Sequence, residues 1–298
     1  MGHDDKLVGE LEAVADRLRL NCFDEFITKE QGHVGGTMSS VDIMTALYFH
    51  HINFNKDDPD WHGRDRIIMS KAHCCESTYA ALVELGVYPK ETLSKYYCYE
   101  SPFQGHADRW CTKGIDYSGG SLGQGLSFGC GLAYAEKLNQ KLFPVKPEGW
   151  APRFVQKYPP AYRTYVVVGD GELNEGSNWE AAMFANKFKL DNLTCIVDYN
   201  KWQIDGPSAD IMPLEPLAAK WQAFGWSVQE VDGHNMRQLV DALDLADRRY
   251  GDNMPKCIIA HTVKGYGVPM WADSHMHMAR GAAVKTGVQQ GRTKYGQV

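Results

Sequence analysis

Residues 165–206 constrain the fold of this 298-residue chain more than any other stretch. Two short apolar runs rich in β-branched residues, at 165–168 and 193–197, predict strands that are buried on both faces. The segment between them predicts an amphipathic helix, which Ser177 and Glu180 would open as an S-x-x-E capping box. A strand, a helix and a second strand in this order indicate an α/β fold, with a mainly parallel central sheet and helices on both faces.

Polar residues stand where each predicted strand ends. Gly169, Asp170 and Gly171 close the first strand, and Asn200 closes the second. The carboxyl ends of parallel strands meet at one edge of the sheet, which is where ligands of such folds bind. A carboxylate and an amide oxygen side by side suit a hard divalent cation such as Mg²⁺ or Ca²⁺. Taken alone, Gly-Asp-Gly is equally consistent with an ordinary turn, and Asn200 with a cap at the strand end.

A longer string of residues favours the cation site. G-D-G-E, E-G-S-N-W-E-A-A and D-Y-N-K-W-Q-I-D-G together resemble the thiamine-diphosphate motif in the version found in transketolases. The resemblance implies that the side chains of Asp170 and Asn200 and the backbone carbonyl of Trp202 bind Mg²⁺ or Ca²⁺. It also implies that Gly169 and Gly171, on either side of Asp170, belong to the binding site for thiamine diphosphate.

Four further segments resemble the histidine loops of transketolases: Q-G-H-V-G-G, R-D-R-I-I-M-S-K-A-H, F-Q-G-H-A-D, and H-T-V-K-G-Y-G-V with the histidines after it. The implied pocket histidines are His33, His73, His106 and His277, with His275 as the alternative to His277. The resemblance implies that His33 and His277 move the proton of a sugar C3 hydroxyl. His73 and His106 would bind the cofactor diphosphate and the sugar C1 hydroxyl, work that suits imidazoles titrating near neutrality.

Two more parts of the site follow from the same resemblance. The sequence G-G-S-L-G-Q-G implies that Gly120 and Leu122 contact the aminopyrimidine ring of the cofactor. Glu175 and Glu180 are expected toward a second, pyrimidine-binding domain, where they would assist the glutamate that activates this ring. Two other histidines are interpreted without a role in the site: His62 as a solvated loop residue and His261 as a hydrogen-bonded strand residue.

The remaining elements are predicted from periodicity and from start and stop residues. Ser39 or Ser40 is predicted to cap a helix over residues 41–50. Further helices are predicted over residues 6–29, 77–85, 126–138, 214–224 and 236–250, and further strands after residue 66 and over residues 226–231 and 256–262. The length and the 44% hydrophobic content favour one domain over residues 1–298. Within it, a proline-rich segment at about 140–163 is interpreted as an ordered insertion, and a C-terminal tail is expected from about residue 264.

Composition excludes several classes of partner. A net charge of −6, without any lysine-rich run, argues against nucleic acid. The first residues lack the features of a signal peptide, and no apolar run is long enough to cross a bilayer, so a cytoplasmic protein without membrane contact is expected. The eight cysteines form no C-x-x-C pair and are interpreted mainly as core residues in a reducing compartment. Cys74 and Cys75 beside His73 could instead be thiolates or metal ligands, which is the weaker interpretation.

The resemblance covers nearly all of this chain but only the N-terminal half of a full transketolase. It therefore implies a split enzyme that is active only with a C-terminal transketolase subunit, most simply as an α2β2 heterotetramer. The reaction would transfer a two-carbon ketol unit from a ketose to an aldose through thiamine diphosphate, with xylulose 5-phosphate and ribose 5-phosphate as the default pair. The alternatives are the diphosphate-binding subunit of a 2-oxo acid dehydrogenase and a non-catalytic regulatory paralogue.

Overall fold

The computed structural model describes residues 3–142 and 162–296. The larger part of the predicted insertion, residues 143–161, lies outside the described residues. The strands are β1 (Gln31–Gly32), β2 (Arg66–Met69), β3 (Thr164–Gly169), β4 (Leu193–Tyr199), β5 (Ser227–Asp232), β6 (Lys256–His261) and β7 (Ala279–Arg280). The helices are α1 (Asp5–Lys29), α2 (Val34–Ala46), α3 (Cys75–Glu84), α4 (Gly125–Leu142), α5 (Gly176–Lys187), α6 (Ser208–Ile211), α7 (Leu217–Ala223), α8 (Met236–Arg248) and α9 (Ala282–Tyr295).

Five of the strands form one parallel sheet in the order β2-β3-β4-β6-β5. The two strands predicted from residues 165–168 and 193–197 lie next to each other, with Val167 opposite Ile196. Because all five strands run in one direction, their carboxyl ends share one edge. The predicted α/β class and the predicted parallel sheet are therefore confirmed.

Helices cover both faces of this sheet, and successive residues of a strand point to opposite faces. Tyr165, Val167 and Ile196 belong to a core shared with α1, α2, α3, α8 and α9. Val166 and Val168 belong to a second core, shared with α4, α5 and α7. Burial on both faces is the reason that β3 and β4 read as continuous apolar runs rather than as alternating ones.

The start of α2 differs from the prediction. The helix begins at Val34, so Ser39 and Ser40 lie inside it and neither caps it. Both hydroxyls donate to the carbonyl oxygen of Gly36 at 3.0 Å, a bond back to the preceding turn. Gly35 is needed there for close packing, because a Cβ on it would lie 2.4 Å from the carbonyl oxygen of Met276. The glycines that suggested a loop therefore belong to a tightly packed first helical turn.

The predicted capping box of α5 is also wrong. The helix begins at Gly176 with Glu175 at its N-cap, so Ser177 lies two positions beyond the N-cap and does not cap it. The Ser177 hydroxyl donates instead to the carbonyl oxygen of Gly123 at 2.8 Å. A tertiary contact with the loop before α4 has replaced the local cap.

The segment beyond residue 264, expected as a tail, packs against the first part of the chain. Strand β7 pairs antiparallel with β1, and α9 lies on α1, where Gly291 approaches Phe23 too closely for any Cβ. The backbone N–H of Gly35 donates to the carbonyl oxygen of His277 at 3.4 Å. This contact brings His277 to the start of α2. Among the described helices, none combines the length and the apolar composition of a membrane span.

Candidate active site

A cavity of about 330 Å³ opens at the carboxyl edge of the sheet. The residues that line it are His33, Gly36, Lys71, His73, His106, Gly120, Leu122, Gly169, Asp170, Gly171, Glu172, Asn200, Trp202, Gln203, Ile204, Asp205, Lys264 and His277. Almost every residue predicted for the site is therefore in one place. The exceptions are Glu175 and Glu180, which are exposed to solvent outside the cavity.

Asp170 and Asn200 lie side by side at the ends of β3 and β4. One Asp170 oxygen accepts from the backbone N–H of Gly171 at 2.9 Å, and the other accepts from the N–H of Lys201 at 2.8 Å and the hydroxyl of Ser208 at 2.9 Å. Burial raises the pKa of Asp170 to about 6, because the ionised carboxylate is costly away from water. A buried carboxylate and an amide at one wall match the oxygen donors that a divalent cation prefers, so these residues fit the implied ion.

Glu172, the last residue of G-D-G-E, was not predicted to have a role. It is buried and accepts hydrogen bonds from the hydroxyl of Ser70 and from the backbone N–H groups of Gly123 at 2.9 Å and Gly169 at 3.0 Å. The carboxylate thus joins the ends of β2 and β3 to the loop before α4. Its place as the fourth residue of the G-D-G-E motif is the feature of the sequence that indicates a role.

Four histidines from four separate segments form a cluster in the cavity. The ring centroid of His33 lies 5.4 Å from those of His73 and His277 and 5.6 Å from that of His106. Those of His73 and His277 are 4.9 Å apart. Of the two C-terminal candidates, His277 lines the cavity, whereas His275 is exposed and lies outside it.

These imidazoles are neutral near pH 7. Burial lowers the pKa of His33 to about 4, with Arg280 adding to the effect, and burial also lowers the pKa of His277 to about 4. The pKa of His73 falls well below its usual value because of burial and the neighbouring His277, and that of His106 is lowered by burial and by His33. A neutral imidazole has one N–H donor and one acceptor nitrogen, so the cluster can both give and take protons.

Two buried lysines supply positive charge to the same cavity. Lys71 forms an ion pair with Asp198 of β4 and donates to the carbonyl oxygen of Gly36 at 2.9 Å. Lys264 donates to the carbonyl oxygen of Gln203 at 3.1 Å, and burial lowers its pKa to about 8. Both lysines lie within quoted motifs, S-K-A-H and H-T-V-K-G, but neither lysine was predicted to have a role in the site. Ammonium groups at a helix-rich edge suit an anion such as a diphosphate.

The remaining candidates have ordinary roles. His62 is exposed, and His261 is within 2.9 Å of the carboxylate of Glu230, as interpreted from the sequence. All eight cysteines are free thiols. Burial raises the pKa of Cys74 to about 12 and that of Cys75 well above its usual value, so neither is a thiolate.

Comparison with known proteins identifies the family. The model of the thiamine-diphosphate-binding domain of transketolases matches residues 11–298. A 6-deoxy-6-sulfo-D-fructose transketolase subunit SqwG from Clostridium sp. (strain MSTE9) is 39% identical over 258 residues, covering 87% of this chain and 86% of the relative. An apulose-4-phosphate transketolase subunit from Phocaeicola vulgatus is 36% identical over 261 residues, covering 88% and 85%.

Solved structures agree with these relatives. The transketolase from Leishmania mexicana superposes with a TM-score of 0.85 at 30% identity, over 96% of this chain but 41% of that one. A transketolase from Pichia stipitis bound to sedoheptulose 7-phosphate gives a TM-score of 0.82 at 28% identity, over 96% and 40%. The chain thus spans about two-fifths of these full-length enzymes. From its motifs, its fold and these matches, the chain belongs to the transketolase family and is a thiamine-diphosphate-binding domain of it.

Proposed function

We propose that this chain is the cofactor-binding subunit of a split transketolase, which transfers a two-carbon ketol unit from a ketose to an aldose. The observation that carries the proposal is the meeting of four neutral histidines, two lysines and the Asp170–Asn200 pair in a single cavity. Ketol transfer requires proton movement at sugar hydroxyls beside a bound diphosphate. The cavity offers groups suited to each of these tasks.

The cofactor would be held by groups from several segments that line the cavity. Asp170, Asn200 and the backbone carbonyl of Trp202 would bind Mg²⁺ or Ca²⁺, while Lys264 and His73 would face the diphosphate. Gly120 and Leu122 would lie against the aminopyrimidine ring. Thiamine diphosphate, when bound, supplies the carbanion chemistry that breaks and forms the carbon–carbon bond.

The histidines would handle protons around the sugar. His33 and His277, which are neutral at pH 7, can accept the proton of the donor C3 hydroxyl and return it to the acceptor aldehyde oxygen. His73 and His106 would donate hydrogen bonds to the diphosphate and to the C1 hydroxyl. Their mutual contacts restrict the orientation of each ring, which favours proton transfer in one fixed geometry.

A second subunit would complete the site, most simply in an α2β2 assembly. Both relatives are named as subunits, and the chain spans about two-fifths of full-length transketolases. Glu175 and Glu180 are exposed at the N-cap and in the first turns of α5, where they can reach across a boundary. We place the protein in the cytoplasm, because free cysteine thiols are typical of a reducing compartment.

The substrates proposed are a ketose and an aldose that each carry a terminal anionic group. The relatives are named for a sulfonated and a phosphorylated ketose, and xylulose 5-phosphate with ribose 5-phosphate remains the default pair. The test measures ketol transfer with sulfonated and phosphorylated ketoses by this chain, with and without a C-terminal transketolase subunit, in Mg²⁺ and thiamine diphosphate. Transfer only in the mixture is expected. Turnover by the chain alone, or pyruvate decarboxylation by the mixture, would overturn the proposal.

A further inference from the structure

Two buried carboxyl groups lie behind the histidine cluster, and the chemistry proposed above does not use them. Glu76 is in the first turn of α3, and Glu25 is near the end of α1; both side chains are 0% exposed. Buried carboxylates are costly unless they are paired or hydrogen-bonded. The surroundings of the two groups therefore decide which of them is charged.

Glu76 is surrounded by donors. One oxygen accepts from the backbone N–H of His33 at 3.2 Å and from the hydroxyl of Tyr96 at 2.8 Å, and the other accepts from the hydroxyl of Thr37 at 2.8 Å. The N-terminal end of α3 adds a favourable dipole for negative charge. Burial raises the pKa of Glu76, but the three donors and the helix start oppose that shift and stabilise its ionised form.

Glu25 has the opposite surroundings. Among the described residues, neither of its oxygens has a hydrogen-bond partner. Burial, together with the nearby charge of Glu76, raises the pKa of Glu25 well above its usual value. Two carboxyls in such different environments divide into one acid and one carboxylate. The pair thus carries a single negative charge, on Glu76.

That charge faces one nitrogen of the central histidine. Glu76 Oε1 lies 3.9 Å from His33 Nδ1, and Nδ1 is buried without a hydrogen-bond partner in the described structure. A neutral imidazole carries its proton on one nitrogen, and the tautomer is set by what the other groups offer. A carboxylate on this side favours the proton on Nδ1, which leaves Nε2 as the acceptor toward the cavity.

We propose that Glu76 is a positioning residue that holds His33 in the Nδ1–H tautomer, so that Nε2 accepts the proton of the substrate hydroxyl. The assignment of the substrate proton rests on the proposed function, whereas the tautomer is a property of this chain alone. Glu25 is then a neutral neighbour, which leaves the electrostatic preference to Glu76.

The test measures the imidazole ¹⁵N shifts of the histidine-labelled chain by NMR, with His33 assigned by the loss of its signals in His33→Asn. Wild-type protein should show a protonated Nδ1 and an unprotonated Nε2. Glu76→Gln has the same shape but no negative charge, so the preference for a proton on Nδ1 should weaken and the Nε2–H tautomer should become populated. Glu76→Asp keeps the charge and should keep Nδ1–H. An Nε2–H signal in the wild type, or unchanged shifts in Glu76→Gln, would overturn the proposal.

Glu25→Gln is the matched control, because it replaces one uncharged buried group by another of the same shape. It should leave the His33 shifts as in the wild type, and a shift as large as that of Glu76→Gln would overturn the assignment of charge. In the complex with the second subunit, Glu76→Gln should lower kcat roughly 10- to 100-fold with little change in KM. If the tautomer changes as expected but the wild-type complex transfers no ketol unit, the proposed function fails while the role of Glu76 stands.

Discussion

The histidine cluster links the proposed chemistry to stability at the scale of single residues. His33 and His277 have folded pKa values of about 4, against about 6.5 for histidine in an unfolded chain. Below pH 6.5 the unfolded chain therefore binds protons that the folded chain does not. The contribution of these two groups to the free energy of unfolding is therefore fully present above pH 6.5, and it is lost as the pH falls toward 4.

This pH dependence of stability gives a prediction for His277→Asn. Between pH 6.5 and 4, the variant should lose about 1–2 kcal/mol less unfolding free energy than the wild type, a value reduced to allow for the solvent that reaches the cavity. Urea unfolding at several pH values measures the difference. His62→Asn, at an exposed position, should follow the wild type. If His277→Asn lost as much stability as the wild type, the burial of a neutral imidazole would not be the cause.

Some residues of the candidate site could be predicted from the sequence, and others could not. The placing of Asp170, Asn200 and the pocket histidines at one edge was predictable, because strand ends and known loops fix them along the chain. The role of Glu76 was not, since it depends on the start of α3 packing beside the start of α2. The ion pair of Asp198 could not be predicted either. Its partner Lys71 follows β2, which lies two strands away from β4 in the sheet.

Most helices and strands were predicted to within a few residues, but the start of α2 and the capping residue of α5 were not. Ser39, Ser40 and Ser177 are all good capping residues, and local rules place each at an N-cap. In the structure each serine lies inside a helix. The hydroxyls of Ser39 and Ser40 donate to a carbonyl oxygen of the same helix, and that of Ser177 donates to one in a neighbouring loop. The order of the strands in the sheet could not be predicted from the sequence either, because helical crossovers do not specify which strands become neighbours.

The packing of α4 on the sheet gives a prediction with a control in the same helix. A Cβ on Gly129 would lie 2.4 Å from Val166 Cγ2 of β3, whereas nothing lies within 4 Å of a Cβ on Gly131. Gly129→Ala should therefore cost about 1–3 kcal/mol through overpacking. Gly131→Ala should be neutral or stabilise by up to about 1 kcal/mol, because alanine favours helix. Thermal unfolding of both variants tests this, and equal effects would mean that α4 is not held at this distance.

Apolar side chains remain exposed on the surface of the protein along α5 and at its end. Met183 is 55% exposed, Phe184 38% and Phe188 37%, and the two phenylalanine rings lie 4.5 Å apart. Clustered exposed apolar groups often mark a contact surface. Because α5 also carries the exposed Glu180, this surface is where we expect the proposed second subunit to bind.

Met183→Glu tests that expectation. A charge at the centre of an apolar contact should weaken association with the C-terminal subunit by at least roughly 30-fold, the loss typical of an interface hot spot. Met254→Glu is the control, since Met254 is 38% exposed but lies in the turn between α8 and β6. Sedimentation velocity of each variant mixed with the partner measures the change, and unaltered thermal unfolding shows that the fold is kept. Should Met183→Glu associate as tightly as the wild type, the partner must bind another face, and the exposed rings of α5 would need a different explanation.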